Sequence, residues 1–409
     1  MSNHQSDHLP ANFNRLAWSN LAAQSAEQIG LAAAPIVAVL TLGAGEGATG
    51  LLQTAQTLPF LLMSIPASVL ADRMSRARLM TAAETLRVIS LLAVLMLVLS
   101  GGLTLPLLAV LGFIGACGTV AYGVTAPALV PALVAPNALP IANGRIELAR
   151  TTAFAAGPAV GGALVSWIGG GPAFGVAAAL SLAAVVLLAG VSEPPRSRGP
   201  SQHPLRELRD GALFVLGHPL LRPILVTQFI FNVSFFVIQA VFVPYAIHWL
   251  QLSPAGVGLT LAAFGVGMVA GALFAARIMR VLRLGTVIAI GPISGVAAAL
   301  AMVLTIGLPF PALAMLGFFL MGVGPILWVV STTTLRQTVT PDHLLGRVSA
   351  INGLAYGARP LGAAIGAVVG GLYGAPTCLV LAAIGFLLQA AVILVSPAVR
   401  LERQPAFAP

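Results

Sequence analysis

Lysine is absent from this chain, and all 20 of its basic residues are arginine. The phosphate-binding loop of nucleotide-driven pumps requires a lysine, so this absence argues against such a pump. Charge of either sign is also scarce: 8% of the residues are charged, against roughly a quarter in soluble domains, and 58% are hydrophobic. A soluble globular protein is therefore excluded.

Groups that hold metals or perform catalysis are equally scarce. The two cysteines, Cys117 and Cys378, lie inside apolar runs, and no Cys/His cluster has ligand spacing. We therefore expect no disulfide, no metal and no cofactor. No serine or cysteine has a nearby base, so we do not expect an enzyme. The net charge of +9 comes from scattered short clusters, so nucleic acid is not an expected partner.

Long apolar runs are abundant. Twelve of them are long enough to cross a lipid bilayer as helices, which predicts an all-α membrane protein with twelve transmembrane spans. Their approximate limits are 16–41, 48–71, 79–100, 103–127, 143–168, 171–191, 220–247, 254–277, 284–307, 311–334, 347–373 and 376–397.

The arginines predict the orientation of these spans. Arg73, Arg277 and Arg400 exemplify a set that falls at alternate span ends, whereas the opposite loops, such as 42–47 and 307–310, contain no arginine. Loops rich in arginine stay in the cytoplasm. We therefore expect a monomeric, multi-pass protein of the bacterial inner membrane with both termini in the cytoplasm.

An internal repeat predicts the domain organisation. Arg73 and Arg76 recur as Arg277 and Arg280, 204 positions later, and a polar, proline-rich segment separates six spans from six. Two six-helix halves with a ligand site between them are a known transporter architecture. The predicted parts are an N-terminal tail (1–15), a six-helix bundle (16–191), a cytoplasmic linker (192–219), a second six-helix bundle (220–397) and a C-terminal tail (398–409).

The loop after span 2, LADRMSRAR, places one acid and three arginines between two apolar runs. An acid there can accept hydrogen bonds from nearby arginines and face the N-terminus of a neighbouring helix. We interpret the cluster as a cytoplasmic gate, which spans 2 and 3 would form with Asp72, Arg73, Arg76, Arg78, Glu84 and Arg87. The alternative is that the arginines only set the topology.

Small residues mark span 5, which reads GRIELARTTAFAAGPAVGG. They predict tight packing against a partner helix, and a proline frees one backbone carbonyl. The motif consists of Gly144, Gly157, Pro158, Gly161 and Gly162. Generic packing of small residues is the alternative interpretation.

Polar stripes on several spans predict a wet central cavity, because lipid would leave such side chains without hydrogen-bond partners. Helical spacing places the polar residues of span 1 on one face, and those of span 7 likewise. The candidates are Asn20, Gln24, Gln28, Gln53, Gln56, Gln228, Asn232, Gln239 and, as an aromatic wall, Trp328.

Two deep charges complete the candidate site. Glu27 lies roughly 16 Å into span 1, near the middle of the bilayer, and Arg359 lies at a similar depth in span 11. We expect Glu27 to bind a proton or cation, with a hydrogen-bonded structural role as the alternative. We hypothesise that Arg359 faces the same cavity and holds Glu27 ionised; binding of an anionic substrate, or an arginine that snorkels to the interface, are the alternatives.

These motifs resemble those of the major facilitator superfamily, in the drug-efflux branch that includes macrolide and siderophore exporters. There the loop after span 2 reads G-x-L-A-D-R-x-G-R-[KR]; serines replace both glycines here, and Asp72, Arg73 and Arg76 match. In the resembled antiporters the span 5 motif restricts leak, and spans 1 and 7 line the cavity. The resemblance implies a proton-driven exporter of amphipathic organic compounds that works by alternating access. A uniporter or symporter of a small metabolite is the alternative.

The orientation is testable by labelling single cysteines introduced into a variant without Cys117 and Cys378. We predict that an impermeant thiol reagent added to intact cells labels positions 45, 169 and 309 and does not label position 200. Labelling at position 200 would overturn the orientation.

Overall fold

A computed structural model of the chain describes residues 9–193, 204–341, 344–403 and 405; the side chains of Asp72, Pro140 and residues 204–207 lie outside this description. Within the described residues nearly the whole backbone is helical and no strand occurs. The prediction of an all-α protein is confirmed.

Fifteen α-helices make up the described part of the chain. They are α1 (Ala11–Leu42), α2 (Glu46–Leu62), α3 (Ser64–Arg73), α4 (Arg76–Leu99), α5 (Leu105–Leu133), α6 (Leu139–Ile168), α7 (Gly170–Ala189), α8 (Pro204–Gly217), α9 (Leu221–His248), α10 (Pro254–Val281), α11 (Leu284–Gly307), α12 (Pro311–Val339), α13 (Leu345–Leu354), α14 (Arg359–Tyr373) and α15 (Ala375–Leu394). Short 3-10 turns cover Pro136–Ala138, Ala355–Ala358 and Pro397–Arg400.

The helices account for the predicted spans one by one. Among the described residues, ten helices are long and apolar enough to cross a bilayer, and the bent pair α2–α3 makes an eleventh. The remaining predicted span, 347–373, coincides with α13, the turn Ala355–Ala358 and α14. Two of the twelve predicted spans are therefore broken, a feature that the hydropathy pattern does not reveal.

Proline explains both breaks. Span 2 bends by 46° between α2 and α3. Pro66 has no N–H to donate to the carbonyl of Leu62. At the bend, the Ser64 hydroxyl donates to the Phe60 carbonyl. In span 11, Pro360 stands in the first turn of α14 and cannot continue the helix that ends at Leu354.

The predicted linker 192–219 contains an amphipathic helix, α8, in its described part. Val215 packs with Val348 and Ile351 of α13 in one apolar cluster. Arg347 Nη1 donates to Asp210 Oδ2 at 3.1 Å across the same contact. The linker is therefore attached to α13, the first segment of the broken span 11.

Helix packing divides the chain in the way that the repeat suggests. α1 packs on α6 and α7, and α4 packs on α5 and α7; further along the chain, α9 packs on α14 and α15, and α12 on α10 and α11. Two pairs, α2 with α14 and α6 with α10, make the most extensive contacts between the two groups. The domain limits stated above stay a prediction.

Glycines permit the close approach of α6 to its neighbours. A methyl carbon added at Gly162 would lie 2.8 Å from Cα of Gly258 in α10, and one at Gly161 would lie 3.0 Å from the Ile29 carbonyl oxygen of α1. A methyl at Gly157 would overlap Cβ of Gln28. Gly144 differs from the other glycines of the motif, because nothing described lies within 4 Å of such a methyl. The predicted packing role is wrong for Gly144, because that position lies on an exposed side of α6.

The two groups of helices are joined at one end and separate at the other. We call the end that carries Arg73 and Arg277 the arginine-rich end, and the opposite end the arginine-free end. At the arginine-free end, residues of both groups, such as Ile36, Phe242 and Phe318, belong to a single buried apolar cluster. Towards the arginine-rich end each group has apolar clusters of its own.

The close contact between α6 and α10 should limit side-chain size. We predict that Gly162→Ala lowers the free energy of unfolding by about 1–3 kcal/mol, because the added methyl overlaps the backbone of α10. Gly144→Ala in the same helix is the control and should be neutral or stabilising, because alanine favours helix and meets no neighbour there. Thermal unfolding of the two purified variants would decide; equal destabilisation would contradict the assignment.

Candidate functional site

A cavity of about 500 Å³ lies between the two groups of helices. This volume is within the range of small-molecule binding sites, roughly 300–1,000 Å³. Both walls contribute to its lining, with α1, α2, α4, α5, α6 and α7 on one side and α9, α10, α11, α12, α14 and α15 on the other. Most of the lining is apolar or aromatic, and a small number of polar and charged side chains project into it.

Most of the predicted cavity residues line this space. Glu27, Arg359, Gln28, Gln53, Gln56, Gln228, Asn232, Gln239 and Trp328 all belong to its wall. Asn20 and Gln24 do not, and their predicted place in the cavity is wrong. Asn20 is buried and donates from Nδ2 to the Ile146 carbonyl at 3.2 Å, because α6 covers α1 at that level.

Arg87 is the centre of a buried ionic network that connects four helices. Its Nη1 lies 2.7 Å from Glu84 Oε1 on the same helix and also donates to the Ala23 carbonyl of α1 at 3.2 Å. Its Nη2 donates to Thr119 Oγ1 of α5 at 2.7 Å. The second oxygen of Glu84 accepts from the Ser181 hydroxyl of α7 at 2.7 Å.

Glu84 and Arg87 are therefore not part of a gate at the arginine-rich end, and that prediction is wrong. Glu84 is fully buried, whereas Arg87 reaches the cavity wall. The sequence interpretation put both residues about one turn into span 3, next to the charged loop. In the structure α4 begins at Arg76, and both residues lie farther along it, where other helices of the first group surround them. Their hydrogen bonds satisfy charges that lipid could not solvate.

Glu27 is the third charge of this network and the most loosely held. Its Oε2 lies 3.7 Å from Arg87 Nη2, beyond hydrogen-bond distance, and its side chain is 14% exposed, against 0% for Glu84. Glu27 lines the cavity. Its close ion pair is thus made with Arg87 and not with Arg359, although both side chains line the same cavity as predicted. That Arg359 holds Glu27 ionised stays a prediction.

Arg359 lies on the opposite wall among aromatic rings. Its Cζ is 4.5 Å from the ring centroid of Tyr356, 4.6 Å from that of Phe60 and 5.4 Å from that of Phe236. Its Nε donates to Asn232 Oδ1 at 3.4 Å. No carboxylate lies within 4 Å of this guanidinium in the described part of the chain.

The charged loop after span 2 makes contacts that the sequence did not predict. The Glu193 carboxylate, just after α7, accepts from the Ser75 hydroxyl at 2.9 Å and from the Arg76 backbone N–H at 2.7 Å, at the N-terminus of α4. Arg76 Nη1 also donates to the Ala128 carbonyl of α5 at 2.5 Å. These contacts lie within the first group of helices. The Asp72 side chain lies outside the described residues, and Arg73 and Arg78 are exposed.

Several residues that line the cavity were not predicted from the sequence. Arg150 lines the cavity, pairs with Glu147 and lies 5.4 Å from the Phe154 ring centroid. Gln389 and Thr227 also line it. Isolated polar residues within apolar spans were the available signal, since lipid exposure of such groups is costly.

The chain as a whole is similar to known proteins. A family model described as transmembrane secretion effector matches residues 15–406, almost the whole chain. The chain belongs to this family. It is thus a major facilitator superfamily transporter, as the motifs indicated.

Relatives of this family member include named exporters. The multidrug efflux pump Tap of Mycolicibacterium fortuitum is 28% identical over 362 residues, which cover 80% of this chain and 86% of Tap. The enterobactin exporter EntS of Escherichia coli O1:K1 / APEC is 31% identical over 257 residues, or 62% of this chain. The match spans 59% of EntS, less than two thirds of that exporter's length.

The fold is shared with solved transporter structures. A bacterial homolog to the human lysosomal transporter Spinster, in an inward-facing and unoccupied conformation, matches with a TM-score of 0.71 and 15% sequence identity. The match covers 98% of this chain and 99% of that chain. The predicted major facilitator fold is therefore confirmed, and the chain is a multi-pass membrane protein.

The ionic network predicts unequal roles for its two acids. We predict that Glu84→Gln lowers the free energy of unfolding by about 3–5 kcal/mol, because it removes the close partner of a buried arginine. Glu27→Gln should lower the free energy of unfolding much less, because the Glu27 carboxylate lies farther from Arg87 and is partly exposed. Denaturant unfolding of both purified variants is the measurement, and equal losses would show that the two acids are not distinguished in this way.

Proposed function

We propose that this protein is a secondary active transporter that exports amphipathic organic compounds in exchange for protons. The observation that carries the proposal is the Glu27–Arg87–Glu84 network, a buried set of charges at the wall of a cavity that is closed at one end. An ionisable cluster within a membrane is expensive to maintain, and its most common use is in ion pathways and proton relays.

Glu27 is the proposed proton site. Glu84 is fully committed to Arg87 and Ser181, whereas Glu27 is only loosely paired and borders the cavity. With both acids ionised the three charges sum to one negative charge; protonation of Glu27 makes the sum zero and leaves the Arg87–Glu84 pair intact. A charge change of this kind in a low-dielectric wall can shift the balance between two conformations.

The named relatives support export, and the wall of the cavity supports an amphipathic substrate. Tap is named as a multidrug efflux pump and EntS as an enterobactin exporter. Aromatic side chains such as Phe60, Phe235 and Trp328 line the cavity together with glutamines. Such a mixture accommodates an apolar body and hydrogen-bonds to a few polar groups.

Alternating access would use the asymmetry between the two ends of the fold. At the arginine-free end, Thr49 Oγ1 donates to the Ala240 carbonyl at 3.0 Å between α2 and α9, and a methyl at Gly47 would lie 3.0 Å from Cα of Gly371. At the arginine-rich end, no described atom lies within 4 Å of a methyl placed at Gly346 or Gly353. We propose that this end is open and, by the positive-inside rule, cytoplasmic.

The same proposal includes the predicted organisation of the chain. Bundles of residues 16–191 and 220–397 would rock against each other at the α2–α14 and α6–α10 contacts, as monomers in the inner membrane. The charged loop around Asp72 stays a proposed gate, in which Glu193 at the N-terminus of α4 would take part. Carboxylates at helix N-termini are favourable, which supports a defined geometry for this loop.

Proteoliposomes loaded with an internal pH indicator test the transport function. We predict that, in the wild type, an imposed proton gradient drives fluorescent amphipathic dyes across the membrane in the direction opposite to proton flow. Glu27→Gln should lose this gradient-driven accumulation of dye and keep the exchange of dye across the membrane. Glu402→Gln is the matched control, because Glu402 is a highly exposed carboxylate that pairs with Arg283. Dye movement without proton flux in the wild type would favour a uniporter, and accumulation by Glu27→Gln would remove Glu27 from the coupling.

A further inference from the structure

The two walls of the cavity carry opposite charge. On the α1–α4 side, Glu27, Glu84 and Arg87 sum to one negative charge when ionised. On the opposite side Arg359 projects into the cavity. Its positive charge has no carboxylate within 4 Å among the described residues. Each wall therefore carries a net charge of its own, and Arg359 has no close counter-ion among the described residues.

The surroundings of Arg359 leave most of its donors unused. A guanidinium has five N–H groups. One of them, on Nε, reaches Asn232 Oδ1 at 3.4 Å, and the four on the Nη atoms have no acceptor in the described part of the chain. The rings of Phe60, Phe236 and Tyr356 compensate the charge from their faces but do not replace planar oxygen acceptors. The fork of donors matches the geometry of a carboxylate or a similar oxyanion.

We propose that the cavity binds organic anions, with the anionic oxygens on the Arg359 guanidinium and an aromatic or other apolar body between the rings of Phe60, Phe236 and Tyr356. This inference rests on the proposed function in one respect: it takes the cavity as the transport site. It adds the charge of the substrate, which the efflux activity of the relatives does not specify.

The arrangement separates the substrate's charge from the proton's. Glu27 belongs to the wall built by α1, and its ion pair with Arg87 leaves Arg359 for the ligand. The negative wall would favour a cation, but a cation bound among the rings of Phe60, Phe236 and Tyr356 would be repelled by the Arg359 guanidinium beside it. An anion compensates Arg359 without displacing any ion pair that the structure contains.

Binding of two probes with the same ring system and opposite charge tests the proposal. Purified wild-type protein in detergent should bind 1-naphthoate at least ~10-fold more tightly than 1-naphthylmethylammonium in equilibrium dialysis, because the anion accepts charge-assisted hydrogen bonds from the Arg359 guanidinium. Arg359→Gln should abolish this preference, and Arg359→Lys should retain part of it. Equal binding of the two probes by the wild type, or an unchanged preference in Arg359→Gln, would overturn the proposal.

A second variant leaves Arg359 in place. Asn232→Asp puts a carboxylate beside Nε and should lower the affinity for naphthoate about as much as Arg359→Gln. Arg283→Gln is the control, since Arg283 is 73% exposed and pairs with Glu402 outside the cavity. Full naphthoate affinity in Asn232→Asp would contradict a role for Arg359 in binding. Binding requires no gradient, so an anion preference that depends on Arg359 would stand even if the vesicles showed no proton-coupled transport.

Discussion

The bilayer's inability to solvate charge is the constraint on which the centre of this protein depends. Arg87 must find every partner within the protein, and it does so on α1, α4 and α5, while Glu84 extends the network to α7. Four helices are thereby held in one arrangement. A buried charge of this kind contributes little net stability, but removal of one partner is costly, so it specifies which helices are neighbours.

A second constraint acts between the two groups of helices, which are held together mainly by van der Waals packing and not by ion pairs. Gly162 and Gly258 allow α6 and α10 to touch along their backbones, and Gly50 does the same for α2 against Ala367 of α14. Such contacts rest on the van der Waals packing of small residues. In the proposed alternating access, the two groups of helices would move against each other at these contacts.

The two broken spans lie at this same boundary and combine mechanics with chemistry. α2 ends at Leu62 just after Phe60, and α14 begins at Arg359, so both breaks border the cavity. Phe60 contacts the Arg359 guanidinium across the boundary. A ligand that engages Arg359 would therefore lie beside both breaks.

Local properties of the sequence were sufficient to predict the class and much of the cavity. Apolar runs of about 20 residues predict the helices, because hydrophobic length is a local property that does not depend on partners. The polar residues of span 7, such as Gln228 and Asn232, were placed correctly at the cavity wall by spacing alone. The breaks could in principle be read as well, since Pro66 and Pro360 each remove a backbone donor.

Tertiary structure alone decided which charges pair. The sequence puts Glu27 and Arg359 at similar depths, but depth does not specify which helices are neighbours around the bundle. Because α4 brings Arg87 to the side of α1, Glu27 pairs with Arg87. Arg359 is left among the aromatic rings on the opposite wall. Ion pairing depends on a few ångströms between side chains, and that distance is set by the packing of whole helices, which no single stretch of sequence contains.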